Sequence, residues 1–266
     1  MSNKKTDYVN LEYEIIENEK TGALYALAGS YNISCFKPFL LPFKEKFSLV
    51  LMGFEKNKSA KEFTLEKIVE SVEEFRKENG HNKVSILGHS LGGSIAQKYA
   101  FDYPNNVEKL ILANTKCGAP NFPFSYNAKM FFLLIKSYLS SIIQKRDFKE
   151  IAVEKFPYAM KGYYFSEKHG EYAGKYAEGL KSKKFESLME EMDILKKRKL
   201  EKFEEETSKI ICRTLIIAGK YDKIVSLKEH ESLNKLIKNS EMKMLDTGHF
   251  SFMEKPRDFV EYIINF

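Results

Sequence analysis

Val84-Ser-Ile-Leu-Gly-His-Ser-Leu-Gly-Gly-Ser-Ile-Ala-Gln-Lys-Tyr-Ala100 sets an apolar run directly against Gly-His-Ser-Leu-Gly, and a helical pattern follows at once. A short run such as Val84 to Leu87, bounded by glycine, reads as a buried strand of a parallel sheet. Beyond it, Ile95 and Tyr99 fall on one helical face, with Gly92, Ala96, Ala100 and Tyr103 on an adjacent one. The small residues let the helix lie close to the sheet. A turn this tight forces its central residue, Ser90, into a strained conformation, and Gly88 and Gly92 must lack side chains to avoid clashing. The serine hydroxyl then stands at the carboxyl edge of the sheet. The helix start aims free backbone N–H groups, led by that of Leu91, at any developing negative charge. Gly-x-Ser-x-Gly alone is five common residues in a turn; the strand before and the helix after give it meaning.

Working outward, Leu11 to Ile16, Leu24 to Ala28 and Phe47 to Phe54 read as strands, and Phe63 to Lys77 as an amphipathic helix. Val107 to Asn114 and Ile211 to Gly219 are further strands. A helix near Leu227 to Ile237, a short strand Met242 to Leu245 and a helix Pro256 to Ile264 close the chain. Strand alternating with helix predicts an α/β fold with a mostly parallel, doubly wound sheet. The alternation stops between about Cys117 and Ser208, where helical stretches show no strand periodicity. The expected organisation is therefore a core of residues 1–116 and 209–266 with a helical cap inserted at 117–208. The first half of the cap is aromatic (Phe131, Phe132, Tyr138, Phe156, Tyr164 and others), a composition that lines pockets but more often glues a cap to its core. Met130 to Ile143 is read the same way, as packed cap, with an interfacial helix the lesser alternative because Lys136 interrupts the apolar run.

Composition narrows the function. With 266 residues and 43% hydrophobic content the chain is long and apolar enough for one large domain. Its net charge of +6 comes from lysines interleaved with acids, so no basic stripe marks a nucleic-acid surface. Cys35, Cys117 and Cys212 are an odd, scattered set without metal-ligand spacing, which argues for a reducing compartment. The N-terminal lysines precede no apolar segment of the signal-peptide kind, and no stretch has the length to span a bilayer. A cytoplasmic location without stable membrane anchoring is expected.

In an open α/β sheet, ligands bind beyond the carboxyl ends of the strands. Asp222 follows the strand ending at Gly219, and His249 follows the strand ending at Leu245. His249 is the one of five histidines that lies in a post-strand loop after the acid; His81, His89, His169 and His230 lie elsewhere. A surface-loop histidine and a turn-forming aspartate are the plain alternatives, but they do not account for the order Ser90, Asp222, His249.

With "GHSLGG" at the elbow, "YP" after its helix, "LIIAGKYD" at the acid and "GHFSFMEKPRDFV" at the histidine, the chain resembles the α/β-hydrolase fold family over Leu24 to Asn114 and from Ile211 onward. Two features depart from the family pattern. Ala28-Gly29-Ser30 replaces the usual His-Gly after the third strand, and "MGFEKNKS" replaces an Asp-x-x-Gly-x-Gly turn. The resemblance implies acyl transfer to water, with Ser90 as nucleophile, His249 as base and Asp222 orienting it. The backbone N–H groups of Ser30 and Leu91 would bind the oxyanion, and no metal or cofactor is called for. Ser90 in place of Asp argues against epoxide hydrolases and haloalkane dehalogenases of this fold, and Leu91 argues against proline iminopeptidase-like enzymes. A small or medium acyl ester is the expected substrate. Carbon–carbon bond hydrolase, lactonase and thioesterase are the enzyme alternatives, and a small-molecule receptor the non-enzyme one.

Overall fold

The eight strands of the computed structural model form one sheet in the order β1-β2-β4-β3-β5-β6-β7-β8. They are β1 (Ser2–Lys5), β2 (Val9–Ile16), β3 (Ala23–Leu27), β4 (Ser48–Lys56), β5 (Val84–His89), β6 (Val107–Ala113), β7 (Arg213–Gly219) and β8 (Ser240–Leu245). The structure describes residues 2–5, 8–18, 22–119, 122–166, 172–181, 183–197 and 199–266. The first two strands of that order pair antiparallel and every pairing from β4 to β8 is parallel, so the sheet is mostly parallel, as the alternation of strand and helix requires.

Each parallel strand splits its side chains between two cores by its period of two. Leu24 and Ala26 face one core while Tyr25 and Leu27 face the other, and Leu49 and Leu51 are set against Val50 and Met52 in the same way. Burial on both faces is why these strands read as continuous apolar runs. One face is covered by α1 (Ile33–Leu40) with Phe36 and, from the chain's end, by Phe252 of α10 (Ser251–Glu254) and Phe259 of α11 (Pro256–Asn265). The other is covered by α2 (Leu65–Glu78), α3 (Leu91–Asp102) and α9 (Leu227–Leu236) through Val72, Ile95 and Leu233. Each fully buried aliphatic side chain contributes about 1.5–3 kcal/mol, so the two cores hold the sheet rigid beneath its carboxyl edge.

Element boundaries fall within a residue or two of those expected. Strand β1 and helices α1 and α10 go beyond them. β1 pairs antiparallel with β2, Ser2 opposite Tyr13, and α1 carries Pro38, a residue that reads as a helix breaker. Asn32 caps α1 by accepting the Ser34 N–H at 2.9 Å. The segment "MGFEKNKS" continues β4 to Lys56, where it pairs with Val9 of β2.

Between β6 and β7 the described residues hold α4 (Phe124–Gln144), α5 (Phe148–Tyr164), α6 (Ala173–Leu180), α7 (Phe185–Lys196) and α8 (Leu200–Ser208), with no strand among them. Their aromatic groups divide. Tyr164 and Phe165 are buried, whereas Phe131, Phe132, Tyr138 and Tyr158 are exposed. Packing therefore does not absorb α4: of its 21 residues Tyr126, Leu133 and Ser137 are the buried ones. The apolar pattern was right in period, but its wide face points away from the protein.

Candidate active site

The elbow is where sterics speak most plainly. Ser90 adopts φ 55° and ψ −119°, outside the regions open to an ordinary L-residue. Such strain costs about 1–3 kcal/mol and persists only where the surroundings enforce it. A Cβ on Gly88 would lie 2.4 Å from the Gly92 carbonyl oxygen, and one on Gly92 would lie 2.1 Å from that of Leu27. Both glycines are thus required by backbone approaching backbone.

Ser90 Oγ lies 3.0 Å from His249 Nε2, and His249 Nδ1 lies 2.8 Å from Asp222 Oδ2. A carboxylate only accepts, so Nδ1 carries the proton and Nε2 is left to accept from the Ser90 hydroxyl. Asp222 is buried and fully engaged. Its Oδ1 accepts the N–H groups of Ile224 and Val225 at 2.8 and 2.9 Å, and Oδ2 also accepts from Asn114 Nδ2 at 3.2 Å. Burial by itself would raise its pKa, but attraction to His249 and its hydrogen bond outweigh burial and hold the carboxyl below its usual range. Asp246 takes no part: it is exposed and pairs with Lys220 at 3.1 Å.

Four further residues fix this arrangement, and none stood out in the sequence. His89, inside the elbow, donates from Nε2 to the His249 carbonyl at 2.7 Å, which leaves Nδ1 to accept from the Tyr31 hydroxyl at 3.0 Å. Burial drives its pKa down to about 3, so it stays neutral and keeps that tautomer. Asn114, at φ 46° just past β6, bridges Asp222 to the Gly248 carbonyl at 3.1 Å. Glu254 accepts the Gly248 N–H at 2.8 Å and the Ser166 N–H at 3.2 Å. The Tyr164 carbonyl accepts the His249 N–H at 2.6 Å. The one signal in the sequence is position: Asn114 and His89 stand at carboxyl ends of strands.

Ser30 and Leu91 flank Ser90 on the wall of one cavity. The Leu91 N–H begins α3 and so has no intrahelical acceptor, and neither it nor that of Ser30 meets a backbone carbonyl among the described residues. The rest of the wall is chiefly apolar, with Tyr126, Met130 and Leu133 of α4, Phe156 of α5 and Val225. Cys35 and Cys117 are not on it. Cys35 is buried and its thiol is pushed up to about 12 by that burial. Of the remaining histidines, His81 pairs with the Tyr25 hydroxyl at 2.7 Å and His230 donates to the Ser226 carbonyl at 3.0 Å, while His169 lies outside the described residues.

Residues 47–256 match the family model described as alpha/beta hydrolase fold. Among solved structures, the enol-lactonase from Burkholderia xenovorans LB400 superimposes with a TM-score of 0.77 at 15% identity, covering 97% of this chain and 96% of that one. The esterase EaEST from Exiguobacterium antarcticum gives 0.74 at 19% identity over 97% and 95%. A curated relative, the abhydrolase domain-containing protein abhd-5.2 of Caenorhabditis elegans, is 33% identical over 111 residues, 40% of this chain. The matched stretches span between 10% and 24% of the length of such relatives.

Proposed function

The chain belongs to the alpha/beta hydrolase fold family, and from that premise we propose that it hydrolyses small or medium acyl esters through a serine-linked acyl intermediate. The observation that carries the reading is the unbroken chain Ser90 Oγ, His249 Nε2, His249 Nδ1, Asp222 Oδ2 opening onto a mostly apolar cavity.

In this mechanism Ser90 Oγ attacks the ester carbonyl carbon while His249 Nε2 takes its proton. The imidazolium is stabilised by Asp222, whose lone pairs are already directed at it. The tetrahedral oxyanion is received by the N–H groups of Leu91 and Ser30, each such donor worth about 3–4 kcal/mol. Collapse breaks the bond to the alkoxy group, which leaves as the alcohol with the proton from His249. Water, deprotonated by His249, then attacks the acyl-serine, and the carboxylic acid departs as Ser90 regains its proton. Residues 117–208 act as a lid in this reading, since α4 and α5 supply the wall opposite Ser90. Superposable structures named as an esterase and an enol-lactonase support hydrolysis as the class of reaction.

The test is turnover of p-nitrophenyl butyrate. The wild type should show steady hydrolysis and Ser90→Ala none above the uncatalysed rate. Activity retained by Ser90→Ala, or a wild type that binds the ester without turning it over, refutes the assignment; the second result would favour a receptor.

A further inference from the structure

The outer face of α4 is the most conspicuous feature of the surface that the chemistry leaves unused. Phe131, Phe132, Ile135, Leu139, Ile142 and Ile143 are between 41% and 82% exposed, and Phe124 and Tyr138 join them. At 3.6 residues per turn these eight side chains fall within about 140° of the helix circumference, a continuous stripe. Scattered surface apolar groups need no explanation, but a contiguous stripe marks an interaction site.

Charge selects the partner. From Lys109 to Arg146 the sequence has no acidic residue. Lys129 and Lys136 project from one edge of the stripe and Lys145 follows its end; all three are exposed, with no carboxylate partner among the described residues. Arg146, by contrast, is held by Glu154 at 3.1 Å. Long lysine stems beside an apolar face let their ammonium groups reach a headgroup layer while the face enters it. A second copy of this chain would bring the same basic, acid-free helix and no counter-charge. We propose that α4 docks reversibly, lying flat, on the surface of an anionic phospholipid bilayer. The opposite side of the same helix, through Tyr126, Met130 and Leu133, lines the cavity over Ser90, so docking sets the cavity beside the lipid. The docking itself does not depend on Ser90 being a nucleophile.

Vesicle sedimentation of the full chain tests this, with phosphatidylcholine vesicles with and without phosphatidylglycerol. Phosphatidylglycerol should strengthen partitioning by roughly 100-fold at low salt, a factor of about five for each of three lysines. Lys129→Glu with Lys136→Glu should remove most of that preference. Phe132→Asp with Leu139→Asp should cut binding at least about 100-fold while leaving hydrolysis of a soluble short ester unchanged, since neither residue lines the cavity. Wild type that stays in the supernatant with both vesicles overturns the proposal, as does binding that ignores both pairs of substitutions. So does a dimer in gel filtration that Phe132→Asp with Leu139→Asp converts to monomer while wild type ignores vesicles; the occupant would then be a second copy.

Discussion

Asp222→Asn isolates what the buried carboxylate does. Its four donors come in two pairs, Ile224 and Val225 N–H on Oδ1, His249 Nδ1–H and Asn114 Nδ2–H on Oδ2. An amide must turn its NH2 toward one of these pairs, so donor meets donor whichever way it lies. Facing Ile224 and Val225 would leave two backbone N–H groups unpaired in a buried site, at about 1–3 kcal/mol each. Only on the other side can a partner adapt: His249 can move its proton to Nε2 and accept from the amide. That tautomer presents N–H, not a lone pair, to Ser90, and the base is lost. An Asp→Asn change of this kind in serine proteases lowers kcat by about 10⁴-fold, equivalent to about 5.4 kcal/mol of transition-state stabilisation. Asn114 Nδ2 would still lose an acceptor, so folding stability should fall by about 1–3 kcal/mol while the variant stays folded. The assay is p-nitrophenyl butyrate hydrolysis with urea denaturation in parallel, and Asp246→Asn as the comparison. Asp246 is exposed and paired with Lys220, so its substitution should leave rates within twofold. Near-normal rates with Asp222→Asn, or a collapse with Asp246→Asn, refute the reasoning.

Other substitutions probe the parts separately. Gly92→Ala places a Cβ 2.1 Å from the Leu27 carbonyl oxygen, where only backbone could yield, and should give insoluble protein or a melting temperature lower by more than about 10 °C; a soluble protein of normal melting temperature contradicts the elbow's sterics. His89→Phe keeps the ring's bulk but strands the Tyr31 hydroxyl and the His249 carbonyl, so stability should drop by about 3 kcal/mol and kcat at least about tenfold, both measurable on one preparation. Cys35→Ser and Cys117→Ser should each keep ester hydrolysis within an order of magnitude, and loss of activity in either would put a thiol into the chemistry. Glu73 contributes to acid stability: burial opposes ionisation, but hydrogen bonds from Arg76 and Tyr99 prevail and bring it from 4.5 down to about 2. Its folded pKa lies below the unfolded one, so its contribution of about 3 kcal/mol is present above pH 4.5 and disappears as pH falls toward 2. Glu73→Gln should flatten the stability profile across that window, and parallel wild-type and variant profiles would remove Glu73 from the account.

The elbow was legible because its demands are local: two glycines and a serine at fixed spacing answer to clashes with Leu27 and Gly92 that any such turn creates. The strands were legible because burial on both faces leaves an unbroken apolar run. The network behind His249 was not, since Asn114 meets Asp222 across 108 residues and His89 meets the His249 carbonyl across 160. Nothing in the residues near Asn114 or His89 announces a partner that far along the chain. The outward stripe on α4 was hidden for a different reason. Periodicity shows that a helix has an apolar side, and it is identical whether that side meets protein or solvent.

The loop that carries His249 is riveted to the end of α5. The Tyr164 carbonyl holds the His249 N–H, and the Glu254 carboxylate clamps the N–H groups of Ser166 and Gly248 together. Any tilt of that end of α5 would drag the imidazole off Ser90, so α5 behaves as a fixed pillar and not as a flap. Helix α4 is tied to that pillar, Tyr126 and Tyr164 sharing a hydroxyl–hydroxyl hydrogen bond at 3.0 Å, so the wall residues of α7, Phe185, Leu188 and Met189, are where movement would leave the proton path intact.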